Sequence, residues 1–219
     1  MKLDFHCHIL PGIDDGAKNI EESLMLAKAL KDWGFERVTC TPHITSKYPN
    51  TPEDIMPAFE LLKEELAKSG VGLQIRISAE YRLVPETWPK VLENNWLMPI
   101  EDKFILMELP ISHREEMGPI DPVEEFRRIA SMGLTPILPH PERYFYLDDK
   151  ELMEILEAGG KIQCNYGSYA GLYGEKARHR AIELQNKDLV SFYGTDLHNA
   201  HYVQVIGSWL AEGNSIKEY

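Results

Sequence analysis

Two short motifs, one near each end of this sequence, place histidine and acidic residues two positions apart. His6 and His8 are separated by one residue, and Asp196 and His198 repeat that spacing. In an extended segment alternate side chains point to one face, so each pair can present two ligand atoms to one ion. Mixed imidazole and carboxylate ligands without thiolate suit divalent manganese, iron or zinc. These pairs therefore predict a metal site.

Residues of the same types end one predicted strand after another, whereas a lone histidine is usually a hydrogen-bonded or surface residue. The nine candidate ligands are His6, His8, Asp14, His43, Glu80, Glu108, His140, Asp196 and His198. Nine ligands exceed the needs of one ion, so the sequence predicts a cluster of two or three divalent metal ions.

The elements that must position these residues alternate as short strands and amphipathic helices. Strands are predicted at 3–6, 37–41, 74–80, 104–108, 135–140, 161–165 and 189–195. Helices are predicted at 19–34, 51–69, 121–133, 150–158 and 175–186 and from 199 onward. Seven strands that alternate with helices predict an α/β protein with a parallel sheet. We favour a barrel, because the candidate ligands gather where parallel strands end.

Composition limits the partners of the chain. Its 219 residues carry a formal net charge of −12, which argues against nucleic acid or an anionic membrane as the main partner. No apolar run approaches the ~20 residues of a membrane span, and the start lacks a secretory signal, so no stable membrane insertion is expected. The 3 cysteines show no metal-ligand pairing, which favours a reducing cytoplasm. We expect one domain over residues 1–219.

A phosphate ester is the substrate class that the candidate residues suit. Three divalent ions would outweigh the four predicted carboxylates and create a local anion site in an acidic protein. Arg143, three residues after His140, adds a guanidinium able to bind phosphate oxygens in a bidentate manner. Cysteine phosphatases need Cys-x5-Arg, and no arginine follows any cysteine at that spacing. Asn165, Tyr166 and Tyr169 follow the sixth predicted strand, where they either line the substrate mouth or pack in a loop.

Residues 5–16, Phe-His-Cys-His-Ile-Leu-Pro-Gly-Ile-Asp-Asp-Gly, resemble the opening motif of the PHP (polymerase and histidinol phosphatase) superfamily. The branch they resemble comprises the manganese-dependent tyrosine-protein phosphatases of bacterial capsular polysaccharide. Five further motifs match this branch in order and approximate spacing: Thr41-Pro-His43, Glu80, Glu108, His140-Pro-Glu-Arg143 and Asp196-Leu-His198-Asn199. The resemblance implies a distorted (β/α)7 barrel of the PHP type, with a trinuclear metal site at the carboxyl ends of the strands.

The resemblance also implies a division of the ligands among three ions. The first ion would be held by His6, His8, Glu80 and Asp196. Glu80 would bridge to a second ion, completed by Glu108 and His140. The third ion would be held by Asp14, His43 and His198. Asp14 stands where other PHP branches often use histidine, which favours the tyrosine-phosphatase branch.

Family membership would make the substrate a phosphotyrosine in the Tyr-rich tail of an autokinase that controls capsule or exopolysaccharide synthesis. In that branch a second arginine often follows the final Asp-x-His motif, but residues 199–216 contain neither arginine nor lysine. His201 is the candidate replacement, as a phosphate-binding group or a general acid. The alternatives are a PHP phosphoesterase acting on a small molecule such as histidinol phosphate or on nucleic-acid ends, and a non-catalytic metal-binding regulator of capsule assembly. The oligomeric state stays open.

Overall fold

Parallel strands alternate with helices along the chain, in a computed structural model that describes residues 2–216. The strands are β1 (Lys2–Cys7), β2 (Phe35–Cys40), β3 (His43–Ile44), β4 (Gln74–Ile77), β5 (Glu80–Arg82), β6 (Phe104–Glu108), β7 (Thr135–Pro139), β8 (Lys161–Asn165) and β9 (Val190–Gly194). The helices are α1 (Ile20–Asp32), α2 (Pro52–Ser69), α3 (Trp88–Glu93), α4 (Pro122–Ser131), α5 (Asp149–Glu157), α6 (Tyr166–Tyr169), α7 (Glu175–Asn186) and α8 (Ala200–Ala211). Short 3-10 turns occupy Arg114–Met117 and Pro141–Arg143.

The helices begin at caps that the sequence contains. The side chain of Asn19 accepts a hydrogen bond from the backbone N–H of Glu22 at the start of α1. Thr51 and Asp54 form a reciprocal capping box at the start of α2. Gly70 ends α2 in the left-handed conformation, with a φ of 71°. These local signals explain why the predicted helix boundaries lie close to the observed ones.

The strands form two parallel sheets that are continuous with each other along the chain. One sheet has the order β1-β2-β4, and the other has the order β3-β5-β6-β7-β8-β9. The chain of β2 continues into β3, and that of β4 continues into β5, each across a two-residue break. Within the second break, the Ser78 hydroxyl donates to the backbone oxygen of Met98 (2.6 Å). The predicted strand at 74–80 is therefore two strands.

The first and last strands are joined beside the carboxyl end of β9. The backbone N–H of Asp196 donates to the oxygen of His6 (2.8 Å), and that of His8 donates to the oxygen of Leu197 (3.0 Å). Asp4, buried in β1, accepts bonds from the backbone N–H (2.9 Å) and the hydroxyl (2.5 Å) of Thr195. The residues after β9 are thus bonded to the carboxyl end of β1, while the strands themselves are hydrogen-bonded as two sheets. The predicted α/β class with parallel strands is confirmed.

Burial follows the pattern expected of parallel strands that are covered on both faces. The last four residues of β6, of β7 and of β8 are all buried. Helix α3 was not predicted, because six residues with Pro89 in the first turn carry too little periodicity. Among residues 2–216, none of the helices has the length and apolar character that a bilayer-spanning segment requires.

Candidate metal centre

Four ligand atoms, from residues near the ends of β1 and β9 and at the start of β5, meet in a buried group, referred to below as the first group. Nε2 of His6 lies 3.0 Å from Nε2 of His8. Oε2 of Glu80 lies 3.3 Å and 3.4 Å from these two nitrogens, and Oδ1 of Asp196 lies 3.4 Å and 3.5 Å from them. All four side chains are almost completely buried.

This spacing suits a shared ion. Ligand atoms bound ~2.1 Å from one ion, in tetrahedral or octahedral arrangement, lie about 3.0–3.5 Å from one another. Two buried polar atoms near the first group support the same conclusion. Nδ1 of His43 and Oε2 of Glu80 lie 3.0 Å apart, yet neither has a hydrogen-bond partner within residues 2–216. Buried polar atoms are normally bonded, so a cation is the partner that this donor set fits.

Glu80 connects the first group to a second one, in the position that the resemblance implies for a bridging carboxylate. Its Oε1 lies 3.0 Å from Nε2 of His140, while its Oε2 faces His6 and His8. Oε1 of Glu108 lies 3.9 Å from the same His140 nitrogen. The ligand atoms of His6, Glu80 and His140 lie within 4.8 Å of one another. The structure therefore brings both of the predicted second-site partners to Glu80.

A third group contains Asp15 rather than the predicted Asp14. Oδ1 of Asp15 lies 3.4 Å from Nε2 of His43 and 3.6 Å from Nε2 of His198. His8, Asp15, His43 and His198 together can place ligand atoms within 4.8 Å of one another. The Asp15 side chain is half-exposed, so its carboxylate can complete the third group on the side that faces solvent.

The prediction that Asp14 is a ligand is corrected by its own hydrogen bonds. Its Oδ2 accepts from Nδ1 of His8 (2.8 Å) and from the backbone N–H of His43 (3.0 Å). Its Oδ1 accepts from the backbone N–H of Gly16 (2.9 Å). Both carboxylate oxygens are thus occupied, and the side chain is fully buried. Asp14 orients the ring of His8 and does not face the cluster.

Two other imidazole rings are oriented in the same way. Nδ1–H of His6 donates to Oε1 of Gln163 (2.8 Å), and Nδ1–H of His198 donates to the backbone oxygen of Asp196 (2.8 Å). Such bonds fix the tautomer, so that the opposite nitrogen is left free to bind metal. Gln163 was missed because a neutral amide in mid-strand gives no sequence signal. Its alternation with Asn165 along β8 is the one hint, since residues two apart share a face.

Asp196 is held by three donors on the side away from the first group. Its Oδ2 accepts from Nδ2 of Asn165 (2.7 Å), from the Arg143 guanidinium (3.1 Å) and from the Tyr173 hydroxyl (3.2 Å). The guanidinium also lies over the Tyr173 ring, 4.2 Å from its centroid. The structure thus brings the predicted phosphate-binding Arg143 to the edge of the cluster. Tyr173 was not singled out by sequence, because it follows no strand end directly.

Charge governs the protonation of the first group. Burial alone would lower the pKa of His6, but the charges of Glu80 and Asp196 raise it to about 9. Burial opposes ionisation of Asp196, yet the positive charges of His6, His198, His140 and Arg143 hold its pKa well below the usual range. The carboxylates are therefore anionic and require balancing positive charge, which protons or divalent ions supply.

Two candidate ligands have unusual backbone conformations. His140 has a φ of 38° and Asp196 a φ of 51°, in the left-handed region that favours glycine. Each such residue costs about 1–3 kcal/mol and persists where the surrounding structure holds it. His140 directly follows β7, and Asp196 follows β9 after one residue, so the turn directs each side chain toward the cluster.

The structure does not bring His201 to the cluster, contrary to the prediction. It is exposed in the first turn of α8, and its backbone N–H donates to Oδ1 of Asn199 (3.0 Å). The prediction rested on the short distance in sequence between Asp196 and His201. Because helix α8 begins at Ala200, the His201 side chain lies on the exposed first turn of that helix and is not directed at the cluster.

The parallel strands, with histidines and carboxylates gathered near their ends, define a protein of the PHP fold type with a candidate metal centre. Histidinol phosphate phosphatase from Lactococcus lactis superposes on it with a TM-score of 0.54 at 14% identity, over 98% of this chain and 94% of that one. At that identity the likeness concerns the fold alone.

The chain belongs to the CpsB/CapC family of capsular polysaccharide synthesis, whose family model matches residues 2–204. This match confirms the resemblance inferred from the motifs. Tyrosine-protein phosphatase YwqE from Bacillus subtilis is 30% identical over 200 residues, which is 90% of this chain and 77% of the relative. Tyrosine-protein phosphatase CpsB from Streptococcus agalactiae is 28% identical over 222 residues, or 98% and 88% of the two chains.

A solved structure from work on YwqE of Bacillus subtilis and CpsB of Streptococcus pneumoniae is also similar. Those two proteins are described as unique metal-dependent tyrosine phosphatases. The TM-score is 0.84 at 28% identity, and the alignment covers 99% of this chain and 89% of that chain.

Proposed function

We propose that this protein is a metal-dependent tyrosine-protein phosphatase that hydrolyses phosphotyrosine on a protein of capsule or exopolysaccharide synthesis. The observation that carries the proposal is the first group of four ligand atoms, with the Arg143 guanidinium beside it on Asp196. The shared family and the names of YwqE and CpsB support the choice of substrate class.

Nine side chains would hold two or three divalent ions, in the arrangement that the three groups suggest. They are His6, His8, Asp15, His43, Glu80, Glu108, His140, Asp196 and His198. Manganese is the ion we favour, with iron and zinc as alternatives, because the set mixes imidazole and carboxylate without thiolate. When bound, such ions supply Lewis acidity and lower the pKa of water, which makes a nucleophile available at neutral pH.

Binding of the phosphoryl group and stabilisation of its charge would also involve other side chains of this protein. Arg143 would bind phosphoryl oxygens and stabilise their developing negative charge. Its place over the Tyr173 ring, in addition to its bond with Asp196, fixes the direction of its N–H groups. A tyrosine leaving group has a pKa of ~10, so it departs with less need of a general acid than a serine alkoxide does. We therefore assign no general acid.

The proposed substrate is the Tyr-rich tail of an autokinase, and the proposed compartment is the cytoplasm. A flexible tail can bring phosphotyrosine to a centre buried at strand ends, which a tyrosine within a folded domain cannot do as easily. The free, buried cysteines Cys7, Cys40 and Cys164 suit a reducing compartment.

An assay with three substrates tests the proposal. Protein treated with a chelator and then supplied with manganese would be given a phosphotyrosine peptide, a phosphoserine peptide and histidinol phosphate. We expect manganese-dependent release of phosphate, fastest from the phosphotyrosine peptide. Preference for histidinol phosphate would overturn the substrate assignment. Absence of metal-dependent turnover with all three would leave the non-catalytic regulator as the better description.

A further inference from the structure

A second arginine, Arg82, lies beside the candidate metal centre. It follows Glu80 by two residues in β5, and alternate residues of a strand share a face. The Arg82 side chain therefore points to the same side of the sheet as the bridging carboxylate. Its Nε donates to Oε2 of Glu108 at 2.7 Å, and about a quarter of the side chain (26%) is exposed.

Arg82 and Arg143 have similar environments, because each pairs with a different carboxylate of the candidate metal centre. Arg143 donates to Asp196 and is 21% exposed, while Arg82 donates to Glu108 and is exposed to a similar degree. A guanidinium carries five N–H donors in a planar fork. Within residues 2–216, Arg82 has no hydrogen-bonded acceptor besides the Glu108 carboxylate, so most of its donors remain for a ligand.

The two guanidiniums are carried by elements on either side of β6. Arg82 lies in β5 and Arg143 in the 3-10 turn after β7, and β6, which ends at Glu108, is the strand between them in the sheet order. A phosphoryl group at the cluster could therefore receive hydrogen bonds from two separate elements. The chain has a net charge of −12, so local cations are needed to hold a phosphate dianion at this mouth. Residues 199–216 supply neither arginine nor lysine.

We propose that Arg82 is a second phosphate-binding residue, which holds the phosphoryl group of the substrate together with Arg143. This inference rests on the proposed function for its substrate, but it concerns the binding of phosphate and not the hydrolytic step. A guanidinium matches phosphate geometry because two parallel N–H groups can bind two oxygens. The Nε–Glu108 bond leaves the terminal nitrogens of Arg82 available for that contact.

A purely structural role predicts different behaviour. If Arg82 served only to orient Glu108, its loss would weaken metal binding, and the affinity for phosphate would fall only to the extent that metal is lost. If Arg82 binds phosphate, the affinity for phosphate falls while the metal content at saturating manganese stays constant. Metal content and phosphate affinity must therefore be measured on the same samples.

The experiment compares Arg82→Ala and Arg82→Lys with wild type and with Arg76→Ala. Arg76 is a matched control, because it also pairs with a glutamate, Glu101 in the turn before β6, but its side chain is exposed at the surface. Each protein would be saturated with manganese and its metal content measured by mass spectrometry. Inorganic phosphate would then be titrated in a calorimeter, and KM and kcat measured with a phosphotyrosine peptide.

We expect Arg82→Ala to keep the wild-type metal content while its Kd for phosphate rises about 10- to 100-fold, with a parallel rise in KM. Arg82→Lys keeps the charge but loses the fork, so it should bind phosphate with intermediate affinity. Arg76→Ala should match wild type. Unchanged phosphate affinity in Arg82→Ala, or a loss explained by lost metal, would overturn the inference. Wild-type protein that binds phosphate but does not hydrolyse the peptide would contradict the proposed function alone.

Discussion

The carboxylate of Asp14 lies 2.8 Å from Nδ1 of His8, on the side of the ring opposite the nitrogen that faces His6. The neighbouring Asp15 directs its carboxylate the other way, toward His43 and His198. Two adjacent aspartates therefore have separate roles. Asp14 orients a candidate ligand, and Asp15 is itself a candidate ligand.

The first prediction distinguishes the roles of Asp14 and Asp15. Asp14→Asn should weaken manganese binding about 10- to 100-fold, because residues that orient a ligand typically contribute that much to metal affinity. At saturating manganese, its metal content should equal that of wild type. Asp15→Asn should instead contain one ion fewer per chain even at saturation. Titrations followed by elemental analysis measure both quantities, and the reverse pattern would restore Asp14 as the ligand.

The second prediction concerns the amide that holds His6. Gln163→Leu keeps the approximate volume but leaves Nδ1 of His6 and the Asn165 amide without their partner. We expect about a 10-fold or greater loss of manganese affinity, measured by competition with a fluorescent chelator. Gln185→Leu, which removes an amide from α7, is the matched control and should bind manganese normally. Equal affinity in the two variants would contradict the role assigned to Gln163.

The third prediction uses two glycines with opposite expected effects. A methyl group on Gly194 would lie 2.7 Å from Cβ of His6, so Gly194→Ala should lower the free energy of unfolding by about 1–3 kcal/mol and displace a ligand. A methyl group on Gly207, within α8, would lie 3.5 Å from its nearest neighbour in Trp33. Gly207→Ala should therefore raise the free energy of unfolding by about 1 kcal/mol. Urea denaturation with and without manganese measures both, and a stable Gly194→Ala variant with normal metal content would refute the packing argument.

The fourth prediction tests the exposed position of His201. His201→Ala should change kcat/KM for a phosphotyrosine peptide by no more than about 2-fold, as for a surface substitution remote from the reaction. Arg143→Ala should lower the same quantity at least about 10-fold, because it removes a charge-assisted hydrogen bond. A 10-fold loss in His201→Ala would return that residue to the reaction.

The fifth prediction concerns removal of metal. The buried carboxylates Glu80 and Asp196 lose their counter-charge when divalent ions leave, so the chelated protein should unfold at a lower temperature. When the free manganese concentration is 100 times the Kd of a site, binding at that site adds about 2.7 kcal/mol to the free energy of unfolding. Thermal melts across a manganese series should therefore show a steady rise in Tm. A Tm independent of manganese would contradict binding of metal by the folded protein.

Much of the site could be predicted because parallel strands deliver their last residues to one edge. His140 and Glu108 are 32 positions apart in the numbering, yet each simply ends a strand or follows it. Their meeting therefore follows from the alternation of elements alone. Asp14 and Asp15 could not be separated in this way, because they lie in a loop whose path depends on the backbone N–H groups of Gly16 and His43.

Features that depend on tertiary contacts could not be predicted from the sequence. Gln163 and Tyr173 act through hydrogen bonds to His6 and Asp196, and neither residue type indicates such a partner. The break after Ile77 contains a bond between Ser78 and Met98, residues 20 positions apart, which no local pattern encodes. Strand periodicity predicts which residues lie on a face, but it does not predict where a neighbouring loop interrupts the ladder.

The bonds between Asp4 and Thr195 join residues 191 positions apart. Because synthesis runs from the N-terminus to the C-terminus, His6 and His8 are made long before Asp196 and His198. The first group therefore lacks one of its four ligand atoms until the residue that follows β9, Asp196, has been made. A nascent chain thus contains its two early histidines well before the complete set of candidate ligands exists.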